Sequence, residues 1–175
     1  MSALPCIRRA RRGDEGALAD VLVDCVEGGA SVGFMLPLTR DRAEAFWTRA
    51  LDSDAGGGRV VLVAEEPATG VVVGTVQVIL AMPENQPHRG EIAKMLVRRD
   101  ARRRGTGEAL MRAAEAAARE AGRTLLVLDT ASDDAERLYG RLGWQRVGVV
   151  PRYALWPDGG FVHTTFYCKD LTPGR

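Results

Sequence analysis

The sequence predicts an α/β domain in which a mixed sheet packs between helices. Segments rich in β-branched residues alternate with segments whose apolar residues recur at helical spacing, and turn signals separate them throughout the chain. The 175 residues contain no internal repeat and no low-complexity linker, so we expect one domain over residues 1–175.

The first half of the chain predicts a strand, two helices and a hairpin. Apolar residues at helical spacing indicate both helices, and the segment 29–34 between them lacks such a pattern and is predicted as a loop. Two β-branched segments flank the turn sequence Pro-Ala-Thr-Gly, which favours an antiparallel pair. The predicted elements are strand 6–9, helices 14–26 and 41–51, and strands 60–65 and 71–80.

The second half predicts strands and helices in alternation. Regular pleating of its first strand would place Glu91, Ala93, Met95 and Val97 on one face and Ile92, Lys94 and Leu96 on the other. Asp133 and Glu136 resemble a capping box at the start of the second helix. The predicted elements are strand 91–97, helix 107–121, strand 125–128, helix 134–142, and strands 146–150 and 162–169.

The composition and charge of the chain argue against several classes of partner and location. A net charge of +1 provides no global field for holding nucleic acid or an anionic membrane. Cys6, Cys25 and Cys168 are scattered and odd in number, which suits neither a disulfide framework nor a metal knuckle. No apolar run reaches the length of a membrane span, and the first residues lack the apolar region of a signal peptide. We therefore expect a cytoplasmic protein.

The most informative segment is the turn at 98–107, which joins a strand to a helix. Gly105 and Gly107 let the backbone approach a ligand closely, and the free amides of the helix start attract an anion. The turn lacks both the GxxxxGK[ST] of a triphosphate loop and the GxGxxG of a dinucleotide fold. The sequence therefore predicts a phosphate-binding loop of another kind.

The arginines of this turn have two other interpretations. Five of the seven residues 98–104 are arginine, which also fits a solvated loop or a basic patch for nucleic acid. No aromatic residue is interleaved with them, and Asp100 and Glu108 flank the cluster. Because a surface that follows a polyanion needs stacking platforms and continuous positive charge, we expect no nucleic-acid partner.

The pattern Arg102-x-x-Gly105-x-Gly107 after a strand resembles the coenzyme A pyrophosphate loop of the GCN5-related N-acetyltransferase (GNAT) family. A strand that ends in Asp129, a helix with Leu138-Tyr139 and the step Leu142-Gly143-Trp144 follow in the family's order. The resemblance implies a mostly antiparallel central sheet with helices on both faces, and acetyl-CoA as cosubstrate. It implies coenzyme contacts from Met95, Leu96, Val97, Arg102, Arg103, Arg104, Gly105, Thr106, Gly107 and Glu108.

The catalytic residues follow from the need to deprotonate an amine and to protonate a departing thiolate. Amines near pKa ~10 are mostly protonated at neutral pH, so a carboxylate at a strand end is a natural base. Glu91 and Asp129 are the candidates, with Asp129 expected to be partly buried; an exposed edge charge and a cap carboxylate are their alternatives. Tyr139 matches the family's tyrosine near the sulfur, and its alternative is a core aromatic residue.

In the GNAT family that this sequence resembles, the segment between the first two helices lies over the acceptor amine. Ser31, Phe34 and Met35 are therefore expected substrate contacts, with Tyr153 on the opposite wall; Phe34 and Met35 are equally consistent with core positions. No metal is expected, because neither histidine has a partner at ligand spacing. Family members are often dimers, so the resemblance also implies a homodimer.

A narrower resemblance covers nearly the whole chain. The block 28–35, Glu91-x-x-Lys94, Leu128-Asp-Thr130 and Tyr153-x-x-x-Pro-Asp-Gly are similar to the tabtoxin-resistance members of the family. Those enzymes acetylate an amino-acid-like β-lactam toxin, which favours a small-molecule amine as acceptor. Two alternatives stay open: an acetyltransferase for proteins or peptides, and a non-catalytic coenzyme A-binding module.

Overall fold

A computed structural model describes residues 4–172 as one seven-stranded sheet with the strand order β1-β2-β3-β4-β5-β7-β6. Every neighbouring pair is antiparallel except β4 and β5, which run parallel, so the mixed, mostly antiparallel sheet is confirmed. The elements are β1 (Cys6–Arg9), α1 (Glu15–Glu27), α2 (Arg40–Ala55), β2 (Arg59–Glu65), β3 (Val72–Ile79), β4 (Arg89–Val97), α3 (Thr106–Glu120), β5 (Leu125–Thr130), α4 (Asp133–Arg141), β6 (Gln145–Leu155) and β7 (Phe161–Asp170).

Helices cover both faces of the sheet and form two hydrophobic cores. Leu18 and Leu22 of α1 and Trp47 of α2 are fully buried against one face. Leu110 and Met111 of α3 are fully buried against the other, where α4 also packs. None of the described helices is long and apolar enough to cross a membrane.

Strand β4 contains a bulge at its centre. Thr75 of β3 lies opposite Leu96, whereas Gln77 lies opposite Ala93, so β4 carries one extra residue between these pairs. Lys94 takes up the extra length with a positive φ of 51°, a left-handed conformation that is uncommon for residues other than glycine.

The bulge overturns the regular alternation expected for β4. Ile92, Met95 and Val97 all pack in the core beneath α3, whereas Leu96 belongs to the core beneath α1 and α2. A bulge places two successive residues against one partner residue, so the side chains beyond it change faces. Met95 and Ile92 therefore share a face, and the prediction that separated them is wrong.

The start of α4 also differs from the expected capping box. Ser132 is the N-cap, and its hydroxyl accepts a hydrogen bond from the Ala135 amide at 3.3 Å. Glu136 instead accepts hydrogen bonds from the hydroxyls of Thr165 and Tyr167 on β7. The Glu136 carboxylate, which the sequence pattern assigned to the start of α4, is therefore bonded to residues of β7 instead.

Candidate active site

A cleft opens where the two parallel strands of the sheet stop pairing. Arg89–Glu91 pair with Leu125–Val127, but both strands continue beyond this register without further pairing to each other. A cavity of about 950 Å³ lies at this opening, lined by both strands, the α3 start, α4, residues 28–33 and the β6–β7 hairpin. Splitting a sheet in this way exposes backbone groups and strand-end side chains to a ligand.

The start of α3 forms one end of the cleft. Gly105 is its N-cap with a positive φ of 82°, and the first helical bond joins the Ala109 amide to the Gly105 carbonyl. The amides of Thr106, Gly107 and Glu108 therefore have no acceptor within the helix. They carry the positive end of the helix dipole, which stabilises a bound anion.

Two arginines complete this anion-binding end. The Arg102 Nε donates to the Val97 carbonyl at 3.0 Å and ties the loop to β4. Arg103 adopts a left-handed backbone with φ 62° and also lines the cleft. Free amides, a helix start and guanidinium groups together fit a pyrophosphate, so the residues present suit the coenzyme predicted from the sequence.

The shape of this loop gives a first testable expectation. Gly105→Ala places a Cβ on a left-handed residue, which costs about 1 kcal/mol and favours rotation of the Thr106 and Gly107 amides away from the anion. We expect the Kd for acetyl-CoA, measured by titration calorimetry, to rise about tenfold or more. Gly122 has a similar φ of 74° and open space around it, so Gly122→Ala is a matched control. Equal acetyl-CoA affinity in both variants would contradict an anion site at α3.

The two candidate bases lie on the neighbouring strands β4 and β5 and both line the cleft. Glu91 lies opposite Val127, two residues before Asp129, and both carboxylates line the cavity. Asp129 accepts a hydrogen bond from the Thr164 hydroxyl at 2.7 Å, which orients it. Glu91 is ion-paired with Arg89 at 3.3 Å. Asp129 is exposed at the mouth of the cavity, so the partial burial expected for it is wrong.

Tyr139 reaches the same cavity from α4. It is 4% exposed and packs between Trp144 and Tyr167, with ring centroids 6.0 and 5.8 Å away. Burial, reinforced by the negative charge of Asp129, raises the pKa of the Tyr139 phenol well above its ordinary value. The phenol therefore stays protonated at neutral pH, which is the state that a proton donor needs.

A bridge of two hydrogen bonds joins the 29–36 loop to Leu155 and Pro157, at the end of β6 and in the turn beyond it. The Ser31 hydroxyl donates to the Leu155 carbonyl at 2.9 Å, and the Leu36 amide donates to the Pro157 carbonyl at 2.9 Å. Tyr153 lines the cavity beside this bridge and packs edge-on against Phe166. The predicted substrate residues Ser31 and Tyr153 are thus brought to one site.

Three of the predicted site residues lie elsewhere. Phe34 packs edge-on against Phe46 at 5.4 Å and belongs to the α1–α2 core. Met35 is 41% exposed, and Arg104 is also exposed; neither lines the cavity. Of the predicted coenzyme contacts, all except Arg104 line the cleft: Met95, Leu96, Val97, Arg102, Arg103, Gly105, Thr106, Gly107 and Glu108.

The fold brings into the cleft several residues that the sequence patterns do not single out. Thr164 reaches it beside Asp129, and Lys94 reaches it at the bulge. Thr164 stands in a predicted strand without a motif that singles it out, so the sequence carries no signal for its place in the cleft. Lys94 stands in the Glu91-x-x-Lys94 pattern, but regular alternation separates it from Glu91 and conceals its position.

The fold has close counterparts among solved structures. A phosphinothricin acetyltransferase from Sinorhizobium meliloti in complex with acetyl-CoA is 19% identical, with a TM-score of 0.84 over 97% of this chain and 89% of that one. An N-acetyltransferase from Staphylococcus aureus is 20% identical, with 0.82 over 97% and 100%. A ribosomal-protein-alanine N-acetyltransferase from Brucella melitensis is 25% identical, with 0.78 over 94% and 99%.

The amino-acid sequence also matches the model of a protein family. The model of the acetyltransferase (GNAT) family matches residues 29–144, from the loop that follows α1 to Trp144 just beyond α4. That range contains the α3 anion site, Glu91, Asp129 and Tyr139. It confirms the family and enzyme class expected from the Arg102–Gly107 loop: the chain belongs to the GNAT family of acetyltransferases.

Proposed function

We propose that this enzyme transfers the acetyl group of acetyl-CoA to the amine of a small molecule, and that its acceptor is an amino-acid-like toxin or antibiotic. One observation carries the proposal. A single cleft joins the start of α3 to Glu91, Asp129 and Tyr139, and then to the bridge formed by Ser31.

The α3 end of the cleft supports acetyl-CoA as the cosubstrate. Bound there, acetyl-CoA would supply an acetyl group already activated as a thioester. The amides of Thr106 to Glu108 and the side chain of Arg103 would hold its pyrophosphate. Backbone amides of β4 near Leu96 and Val97 lie along the unpaired edge of the opening, where they would polarise the thioester carbonyl.

The carboxylates and the tyrosine divide the proton transfers between them. Asp129, oriented by Thr164, and Glu91 would take a proton from the acceptor ammonium before or during attack. Tyr139, whose phenol is protonated at neutral pH, would give its proton to the departing thiolate. A non-catalytic coenzyme A-binding module would need none of these three groups at the cleft.

Two hydrogen bonds across the proposed acceptor end favour a small molecule over a protein substrate. A polypeptide acceptor needs an open groove through which its chain can enter and leave. Here the Ser31–Leu155 and Leu36–Pro157 hydrogen bonds join the two walls that such a groove would separate. The similarity to tabtoxin-resistance enzymes and the phosphinothricin acetyltransferase fold support an amino-acid-like acceptor.

The proposal is tested by thiol release from acetyl-CoA against a panel of amines, with products identified by mass spectrometry. The panel contains tabtoxin-like and phosphinothricin-like amino acids, aminoglycosides, polyamines and short peptides. We expect acetylation of an amino-acid-like compound. Turnover of peptides alone would favour the protein acetyltransferase, and tight acetyl-CoA binding without any turnover would favour the non-catalytic module.

The shared role of the carboxylates predicts a pH-dependent defect. We expect Asp129→Asn and Glu91→Gln each to lower kcat/KM about tenfold at pH 7, with a larger loss in the double variant. The loss should shrink toward pH 9 because an amine of pKa ~10 then exists increasingly in its free form and needs the base less.

The matched control for this experiment is Asp158→Asn. Asp158 is an exposed carboxylate in the β6–β7 turn that does not line the cleft, so its removal should leave the pH profile of kcat/KM unchanged. A defect in Asp129→Asn that is constant from pH 7 to pH 9 would contradict the general-base role.

A cytoplasmic location forms part of the proposal. Cys6, Cys25 and Cys168 are free cysteines, which is typical of a reducing compartment. The homodimer expected from the family resemblance stays a prediction, which sedimentation of the purified protein would test.

A further inference from the structure

Lys94 is a half-buried cation that the proposed proton transfers do not use. Of the 24 lysines and arginines, only Lys94 and Lys169 are lysines. Lys169 is saturated by Glu115 and the Leu142 carbonyl. Lys94 lines the acceptor cleft, and residues 4–172 offer its Nζ neither a hydrogen-bond acceptor nor an ion-pair partner within 4.0 Å.

The surroundings of Lys94 place it at the acceptor end of the cleft. Its Nζ lies 5.5 Å from the centre of the Phe46 ring on α2. A Cβ built on Gly33 would lie 3.8 Å from the same atom, so the ammonium sits directly beneath the acceptor loop. Burial lowers the pKa of Lys94, whereas the nearby charge of Asp129 acts in the opposite direction. A desolvated ammonium of this kind is costly without an anion.

The carboxylates of the cleft are already engaged. Glu91 is ion-paired with Arg89, and Asp129 accepts from Thr164. Neither lies within 4.0 Å of the Lys94 Nζ, although Asp129 is close enough to influence it electrostatically. The acceptor end therefore presents the positive Lys94 apart from the negative Glu91 and Asp129, which complements a zwitterion.

The bulge in β4 is what creates this arrangement. Regular pairing would direct residue 94 away from the face that carries residues 91 and 93, whereas the extra residue and its left-handed backbone bring Lys94 into the cleft. A left-handed conformation in a residue other than glycine is unfavourable unless its surroundings maintain it. The strained position thus places the ammonium of Lys94 beneath Gly33.

We propose that Lys94 binds the carboxylate of the acceptor, and so restricts the enzyme to amines that carry a carboxylate, with the amine directed to Asp129 and Glu91. The proposal rests on the proposed acetyltransferase function and specifies its substrate class. An ammonium–carboxylate bond in a partly desolvated site adds affinity, and a neutral analogue leaves the ammonium without a partner.

Steady-state kinetics test the proposal with a matched pair of acceptors. The pair is the amino acid turned over best in the amine panel and its α-carboxamide, which keeps the amine. For Lys94→Met we expect the KM of the amino acid to rise about thirtyfold with kcat within about threefold. The carboxamide should be poor with the unaltered enzyme and equally poor with the variant. Lys94→Arg keeps the charge and should recover part of the affinity.

A binding measurement separates this proposal from the proposed function. Reductive methylation with ¹³C-formaldehyde labels only Lys94, Lys169 and the N-terminal amine, and the Lys94→Met variant identifies the Lys94 signal by NMR. In protein saturated with free coenzyme A, phosphinothricin should shift the Lys94 signal, its carboxamide should not, and the Lys169 signal should stay fixed.

Each outcome of the two experiments bears on one proposal. Equal losses for the amino acid and its carboxamide in Lys94→Met, or equal NMR shifts with both compounds, would overturn the role of Lys94. A carboxylate-dependent shift of the Lys94 signal without turnover of any amine would support the carboxylate site and contradict the proposed function instead.

Discussion

We expect Tyr139→Phe to lower kcat by at least about 10²-fold while leaving the Kd for acetyl-CoA nearly unchanged. The substitution removes only the hydroxyl, which is the proton donor proposed for the departing thiolate. Within residues 4–172 that hydroxyl has no hydrogen-bond partner, and the ring keeps its contacts with Trp144 and Tyr167. Stopped-flow turnover and calorimetric acetyl-CoA titration measure the two quantities.

Tyr167→Phe is the matched control for this prediction. Tyr167 is 5% exposed, lies 5.8 Å from Tyr139 and donates its hydroxyl proton to Glu136, away from the cleft. We expect this variant to lose about 1 kcal/mol of stability and to retain turnover. If Tyr139→Phe turned over as fast as Tyr167→Phe, Tyr139 would have no part in the mechanism.

The largest loss of stability is expected from Lys169→Met. The Lys169 Nζ donates to both oxygens of Glu115 at 2.8 Å and to the Leu142 carbonyl at 2.7 Å. The Glu115 side chain is 8% exposed and also accepts from the Trp144 indole. Removing the ammonium leaves a buried carboxylate without its main partner, which costs about 3–5 kcal/mol in the free energy of unfolding, measured with urea.

A double variant distinguishes the buried charge from lost packing. Glu115→Gln combined with Lys169→Met removes both charges and keeps an acceptor for Trp144, so we expect it to regain most of the lost stability. A double variant no more stable than Lys169→Met would show that packing of the lysine chain, rather than charge compensation, accounts for the loss.

The local patterns of the chain were sufficient to predict the order of its elements. Apolar residues at helical spacing and β-branched segments depend on neighbours within a few residues, so periodicity identifies them directly. The anion site could be predicted for a similar reason, because Arg102 to Gly107 is one continuous loop that precedes one helix. The first backbone amides of a helix lack an intrahelical acceptor in any fold.

The helix cap and the burial of Asp129 could not be predicted in this way. The Glu136 carboxylate accepts hydrogen bonds from Thr165 and Tyr167, which lie 29 and 31 residues further along the chain. Asp129 is exposed because the cleft opens beside it where β4 and β5 stop pairing. The bonding of Glu136 and the exposure of Asp129 both depend on how segments that are distant in sequence come together in the folded sheet.

The sequence by itself determined the α/β class and the family, and it predicted the coenzyme loop and the candidate catalytic residues Glu91, Asp129 and Tyr139, because each of these is encoded in a contiguous segment or a short motif. Only the tertiary structure decided which side chains line the cleft. One extra residue in β4 reverses the faces beyond it and places Lys94 in the cleft, and the Ser31–Leu155 and Leu36–Pro157 hydrogen bonds join the 29–36 loop to the end of β6 and the turn beyond it. Register and long-range hydrogen bonding are properties of paired strands and loops, so no single segment specifies them.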